Sequence, residues 1–210
     1  MDDNVRPEGS KGFAVVFDFD GTLIDSKHVK VRSYVKAFER IFKTGRDDQR
    51  VVTQTCQKNL GANRFVQLAE TLKALDMSAT EEQKEAWSLL YSDLNREALS
   101  SIPEFPSVRS TLRRLSRRGV ALFAASGILG EEFIELLKGR NLSQFFLEVR
   151  GGDKSAFLSG LKERGYGPIL FVGDTPYDRK TAEQAGVSFF QIDTDRDIRR
   201  LSEQLASPGT

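Results

Sequence analysis

From about Leu112 onward, short apolar runs bounded by Asp, Ser or Gly alternate with stretches of helical periodicity, and this alternation constrains the fold more than any other feature of the chain. The clearest runs are FAVVFDFD (Phe13 to Asp20), VALFAAS (Val120 to Ser126) and PILFVGD (Pro168 to Asp174), with FFLEV (Phe145 to Val149) and VSFFQI (Val187 to Ile192) as weaker partners. Helical patterns cover Ser107 to Arg118, Gly130 to Arg140, Lys154 to Arg164 and Tyr177 to Ala185, the last stopped by Gly186. Parallel strands need helical crossovers, so this order predicts a five-stranded, doubly wound α/β sheet. Ligands of such sheets sit at the carboxyl ends of the strands.

Residues 26–101 break the alternation. VKVRSYVKAFERIF, NRFVQLAETLKAL and EEQKEAWSLLYSDLNREAL are amphipathic helical segments, and no strand is evident among them. The expected organisation is a tail over residues 1–11, disordered and without the apolar run of a signal peptide, then an α/β core over 12–25 and 102–210 with a helical module over 26–101 inserted after the first strand. Phe38, Phe42, Phe65 and Trp87 fall at helical spacing and are expected in the core of that module.

Composition narrows the partners. The 31 Lys plus Arg residues nearly cancel the 30 Asp plus Glu, so no global basic field exists for nucleic acid or an anionic membrane. No stretch is long and apolar enough to span a bilayer. The lone Cys56 excludes an internal disulfide and a cysteine-rich metal site, which fits a reducing, cytoplasmic setting. The clusters RRLSRR (Arg113 to Arg118) and DRDIRR (Asp195 to Arg200) read as solvated helix faces. A small-molecule substrate follows as the default, for a monomer or a homodimer.

The chemistry concentrates at the ends of the apolar runs. In DFDGTLIDS, Asp18 and Asp20 stand two apart, a spacing that points both carboxylates to one side of a strand. Two such charges repel unless a cation or a proton compensates, and a hard divalent ion such as Mg²⁺ suits oxygen ligands of this kind. Gly21 permits a sharp turn, and Thr22 offers a hydroxyl and an N–H to a phosphate.

This segment resembles the first signature motif of the haloacid dehalogenase superfamily, in the form carried by its phosphatases. The resemblance implies that Asp18 is the nucleophile and Asp20 the general acid and base. Ser126 and Gly127, in LFAASGILG, resemble the second motif, which contacts the transferring phosphoryl group. Lys154, in GGDKSAFL, resembles the third, although Ser155 stands where many relatives have proline. ILFVGDTPYD resembles the fourth: Asp174 would ligate Mg²⁺ together with Asp18 and the backbone carbonyl of Asp20, and Asp178 would hold metal-bound waters or orient Lys154.

The helical insertion resembles, in position and length, the small cap of phosphoglycolate phosphatase-like relatives, and Gly61 with Arg64 loosely resembles a substrate turn of β-phosphoglucomutase. His28 sits just past the first motif with no assigned role. The resemblance implies a Rossmann-like core with a helical cap and a Mg²⁺-dependent phosphatase acting on a small phosphorylated metabolite through an aspartyl-phosphate. Alternatives are a phosphosugar mutase with the same machinery and a non-catalytic binding protein on the same fold.

Overall fold

A computed structural model describes residues 11–205, so the expected tail, apart from Lys11, lies outside the described residues. The chain opens on strand β1 (Gly12–Phe17) and then forms helices α1 (Lys27–Phe42), α2 (Arg46–Lys58), α3 (Arg64–Ala74) and α4 (Glu81–Ser100). Strand and helix then alternate: α5 (Val108–Arg117), β2 (Ala121–Ser126), α6 (Gly130–Gly139), β3 (Glu148–Gly151), α7 (Lys154–Glu163), β4 (Tyr166–Gly173), α8 (Pro176–Ala185), β5 (Ser188–Gln191) and α9 (Asp195–Gln204). The five strands pair in parallel in the order β3-β2-β1-β4-β5. The chain winds one way from β1 toward β3 and the other way toward β5, which makes the carboxyl end of β1 a topological switch point.

Burial explains which runs take which place. Ala14, Val15, Val16 and Phe17 are at most 2% exposed, so β1 is apolar on both faces and sits in the middle of the sheet. Ala14, Val16, Phe123, Ala125, Phe171, Leu158 and Leu161 form one continuous cluster between the sheet and α7. The edge strands β3 and β5 are only partly buried and carry polar residues, which protects the sheet's open edges.

Two strand boundaries differ from the sequence-based expectation by three residues, the others by at most two. The first strand ends at Phe17 rather than Asp20, because the chain turns there: Thr22 N and Leu23 N both donate to Phe19 O. FFLEV is not itself a strand. Ser143–Phe145 is a 3-10 turn, Phe146 packs its ring 6.4 Å from that of Phe17, and Leu147 is exposed, its N–H making the first bond to β2 at Leu122 O, so the strand itself begins only at Glu148.

The described chain divides into two compact units, residues 24–103 forming one and the flanking segments the other. Within the helical unit, Tyr34 is the hub: its ring lies 5.2 Å from Trp87 and 5.6 Å from Tyr91, and its hydroxyl bonds Thr71 Oγ1 at 2.7 Å and donates to Gln67 O at 3.0 Å. Phe38 and Trp87 are fully buried and Phe42 packs against them, but Phe65 is 43% exposed on the solvent side of α3. Phe65 therefore lies outside the core expected for it. Its neighbours on the helix explain this, since Gln67, Leu68, Thr71 and Leu72 take the buried face. Helix α2 was not distinct in the sequence because it buries little beyond Val52 and Cys56 among polar residues; Asp48, accepting from Gly45 N, marks its start. No helix among the described residues is long and apolar enough to cross a membrane.

Candidate active site

Three neighbouring strand ends and one helix start converge at the switch point. Asp18 follows β1 directly, and its N–H still donates to Val172 O at 2.8 Å, tying it to β4. The turn that follows uses Gly21 at φ 77°, a conformation glycine adopts without strain. It leaves Asp18, Asp20 and Thr22 all buried. Ser126 ends β2, and its Oγ accepts from Ile128 N at 3.2 Å, while Gly127 beside it is half-buried. At the next strand over, a Cβ on Gly151 would lie 2.4 Å from Ile128 O, so a glycine is needed where β3 closes against this loop.

The end of β4 builds the acidic side. Gly173 ends the strand, Asp174 follows, and Thr175 caps α8. The sequence Thr175-Pro-Tyr-Asp178 forms a capping box: Thr175 Oγ1 accepts from Asp178 N at 3.1 Å, and Asp178 Oδ2 accepts from Thr175 N at 3.1 Å and from Thr175 Oγ1 at 2.5 Å. The box turns the Asp178 carboxylate inward, where it is fully buried. A Cβ on Gly173 would lie 2.6 Å from Asp178 Cβ, so the glycine makes room for that carboxylate.

Lys154 is the first residue of α7 and is 5% exposed. Its ammonium donates to Asp18 Oδ1 at 3.2 Å and to Asp178 Oδ1 at 2.5 Å. Asp153 positions it by capping the helix, its Oδ1 accepting from Ser155 N at 2.9 Å and from Ala156 N at 3.1 Å. Ser155 thus gives this cap an N–H that a proline at 155 would lack. Thr22 Oγ1 donates to Asp174 Oδ1 at 3.4 Å, linking the first turn to the fourth.

Negative charge exceeds positive here. Burial pushes the Asp18 carboxyl well above its ordinary range; Lys154 opposes that rise, while Asp178, Asp174 and Asp20 add to it. Asp178 goes the other way. Burial would raise it too, but the Lys154 ammonium and the Thr175 hydrogen bonds hold it below the usual value. Burial disfavours the Lys154 ammonium, yet Asp18 and Asp178 outweigh burial and keep it protonated beyond the ordinary lysine range. One carboxylate oxygen each from Asp18, Asp174 and Asp178 lie within 4.8 Å of one another, all on buried residues. An all-carboxylate set with surplus negative charge fits a hard cation such as Mg²⁺ and does not fit a soft metal.

The fold thus brings Asp18, Asp20, Gly21, Thr22, Ser126, Gly127, Lys154, Asp174 and Asp178 into the same unit at the strands' carboxyl ends. Arg64 and His28 belong to the helical unit. Arg64 is 5% exposed there, its Nη1 donating to Ser88 O at 3.3 Å and Ser92 Oγ at 2.5 Å, with the guanidinium 5.5 Å from the Tyr91 ring centre. His28 is exposed in the first turn of α1. Sequence reading passed over Asp153, Gly173 and Thr175. Two of them had a signal: an Asp before a helical run and a Thr-x-x-Asp spacing are helix-start patterns.

The chain matches the haloacid dehalogenase-like hydrolase family over residues 15–192. It is 32% identical to a phosphoglycolate phosphatase from Pseudomonas putida over 188 residues, which cover 82% of this chain. The match covers 66% of that relative's length, just under two thirds. Among solved structures it resembles a hydrolase from Pseudomonas syringae (TM-score 0.73, 19% identity, 89% of each chain). It also resembles a protein from Thermotoga maritima assigned as a β-phosphoglucomutase (TM-score 0.62, 19% identity, 90% of this chain and 98% of that one). At these identities the structural likeness establishes the fold alone. The family match establishes membership: the chain belongs to the haloacid dehalogenase-like hydrolases.

Proposed function

We propose that the chain is a Mg²⁺-dependent phosphatase that hydrolyses a small phosphorylated metabolite through an aspartyl-phosphate on Asp18. The observation that carries this reading is the buried Asp18–Lys154–Asp178 array beside Asp174, at the switch point of a sheet shared with hydrolases of this family. The phosphatase names of the curated relatives support the same class.

Asp18 Oδ attacks phosphorus, the bond from phosphorus to the leaving oxygen breaks, and Asp20 gives that oxygen its proton. Water then attacks the same phosphorus, Asp20 takes the water's proton, and Asp18 is released as carboxylate. Lys154 offsets the charge shared by Asp18 and the phosphoryl oxygens. Ser126 accepts from Ile128 N and so keeps its hydroxyl proton for a phosphoryl oxygen, with the backbone at Gly127, Gly21 and Thr22 contributing further donors. Asp18, Asp174 and the Asp20 carbonyl would hold Mg²⁺, which would supply neutralisation of the phosphoryl charge. Asp178 holds Lys154 and supports the metal site. Selection of the substrate is assigned to the helical unit, a cap in this reading, and the cytoplasm is the location that fits such a substrate.

Phosphate release from an aryl phosphate, measured for wild type and Asp18→Asn with Mg²⁺ and with chelator, tests this. Release by wild type that needs Mg²⁺ and is lost in the variant is expected. Release unaffected by Asp18→Asn would sink the reading. If a panel of phosphosugars is isomerised with the phosphate retained in the product, the acceptor is a sugar hydroxyl and the protein is a mutase.

A further inference from the structure

The last backbone rung between β4 and β5 is Ile192 N donating to Gly173 O at 2.8 Å. The following carbonyl belongs to Asp174, the residue whose carboxylate lines the acidic cluster. The sheet's ladder stops there, and the next backbone donor of the chain, Asp193 N, turns to Asp197 Oδ2 at 3.1 Å as the chain enters α9. A side chain takes over: Gln191 Nε2 donates to Asp174 O at 2.7 Å and also to Asp193 Oδ1 at 3.2 Å. The other end of the amide accepts from Arg179 Nη2 at 3.5 Å, and Arg179 is itself seated 4.8 Å over the Phe189 ring. Donors thus face a carbonyl and a carboxylate while the oxygen faces a guanidinium, so the partners fix which way the amide points.

We infer that Gln191 is a positioning residue for metal binding: its amide ties β5 to the loop after β4 and holds the backbone of Asp174, and through it the Asp174 carboxylate, in the ligating arrangement. The inference rests on the metal-dependent reading above. Thr22 Oγ1 reaches the carboxylate itself, at Oδ1, and the Gln191 amide holds the backbone behind it, so a shift of that backbone would weaken the cation's grip. Gln191 lies in none of the four motif segments and has a physical task that glutamate or leucine cannot perform, since neither can donate to the Asp174 carbonyl.

The test is calorimetric titration of Mg²⁺ alone into the metal-stripped full chain, for wild type, Gln191→Leu, Gln191→Asn and Asp193→Asn. Both Gln191 variants, one without an amide and one with an amide a methylene too short, should bind Mg²⁺ about tenfold or more weakly, the usual scale for outer-shell partners of a metal ligand. The melting midpoint of the metal-stripped protein should be unchanged, and turnover should be restored by excess Mg²⁺. Asp193→Asn, which leaves the contact to Asp174 intact, should bind as wild type does. Wild-type Mg²⁺ affinity in both Gln191 variants overturns the inference while leaving the phosphatase reading in place. A lower melting midpoint without a change in affinity reduces Gln191 to a structural role and also overturns it. If wild type itself binds no Mg²⁺, the metal reading falls and the inference with it.

Discussion

Lys154 Nζ stands 3.2 Å from Asp18 Oδ1, and both side chains are almost wholly buried. The same ammonium reaches Asp178 at 2.5 Å, so one cation serves two acids at the centre of the site. Removing one partner of such a group leaves uncompensated buried charge, which costs about 3–5 kcal/mol. Lys154→Met should therefore lose phosphate release and also lower the unfolding free energy of the metal-free protein by about that amount in denaturant titration. Full stability in Lys154→Met would mean that the ion pairs are not formed in solution.

Mg²⁺ should stabilise the fold more at neutral than at acid pH. The Asp18 carboxyl is raised in the folded chain, so its favourable contribution is fully present below the ordinary value of 3.8 and is lost as pH rises through the folded value. Above that window the metal-free site carries repelling charge, and a bound cation relieves it; below it a proton already does so. Thermal melts with and without Mg²⁺ at about pH 5 and about pH 7.5 should show the larger shift at the higher pH. An equal shift at both would remove Asp18 from the metal site.

Gly173→Ala should damage the site from within the strand. The added Cβ would sit 2.6 Å from Asp178 Cβ, where no flexible end can swing away. Overpacking of this kind costs about 1–3 kcal/mol, and the displaced carboxylate would loosen Lys154. Lower stability together with lower kcat is expected, and unchanged kcat would show that Asp178 can shift without consequence.

Asp153→Ala removes the cap that fixes the first turn of α7. The expected loss is about 1 kcal/mol of stability, with a fall in kcat because Lys154 is the first residue of that turn. Asp153→Asn, which can still accept from Ser155 N and Ala156 N, should restore most of both. Failure of the asparagine to do so would point to the charge rather than the cap.

The alternation of apolar runs with helical periodicity was enough for the parallel α/β core, because strands buried on both faces are continuous apolar runs and their crossovers are amphipathic. Asp18 was legible from the paired carboxylates at the end of an apolar run, and Lys154, Asp174 and Asp178 through the resemblance of their segments to the family's motifs. The same logic failed where burial is partial. Phe65 has the spacing of a core residue and faces solvent, and the apolar FFL segment enters an edge strand rather than forming one.

The sequence by itself determined which residue types stand at the strand ends, since local periodicity and turn chemistry are properties of neighbouring residues. Only the tertiary structure decided that Lys154 serves both Asp18 and Asp178, that Gly173 makes room for a carboxylate, and that Gln191 reaches Asp174. Those relationships join residues 5 to 136 positions apart. Strand order and register bring such residues within hydrogen-bonding or contact distance, and spacing along the chain carries no record of it.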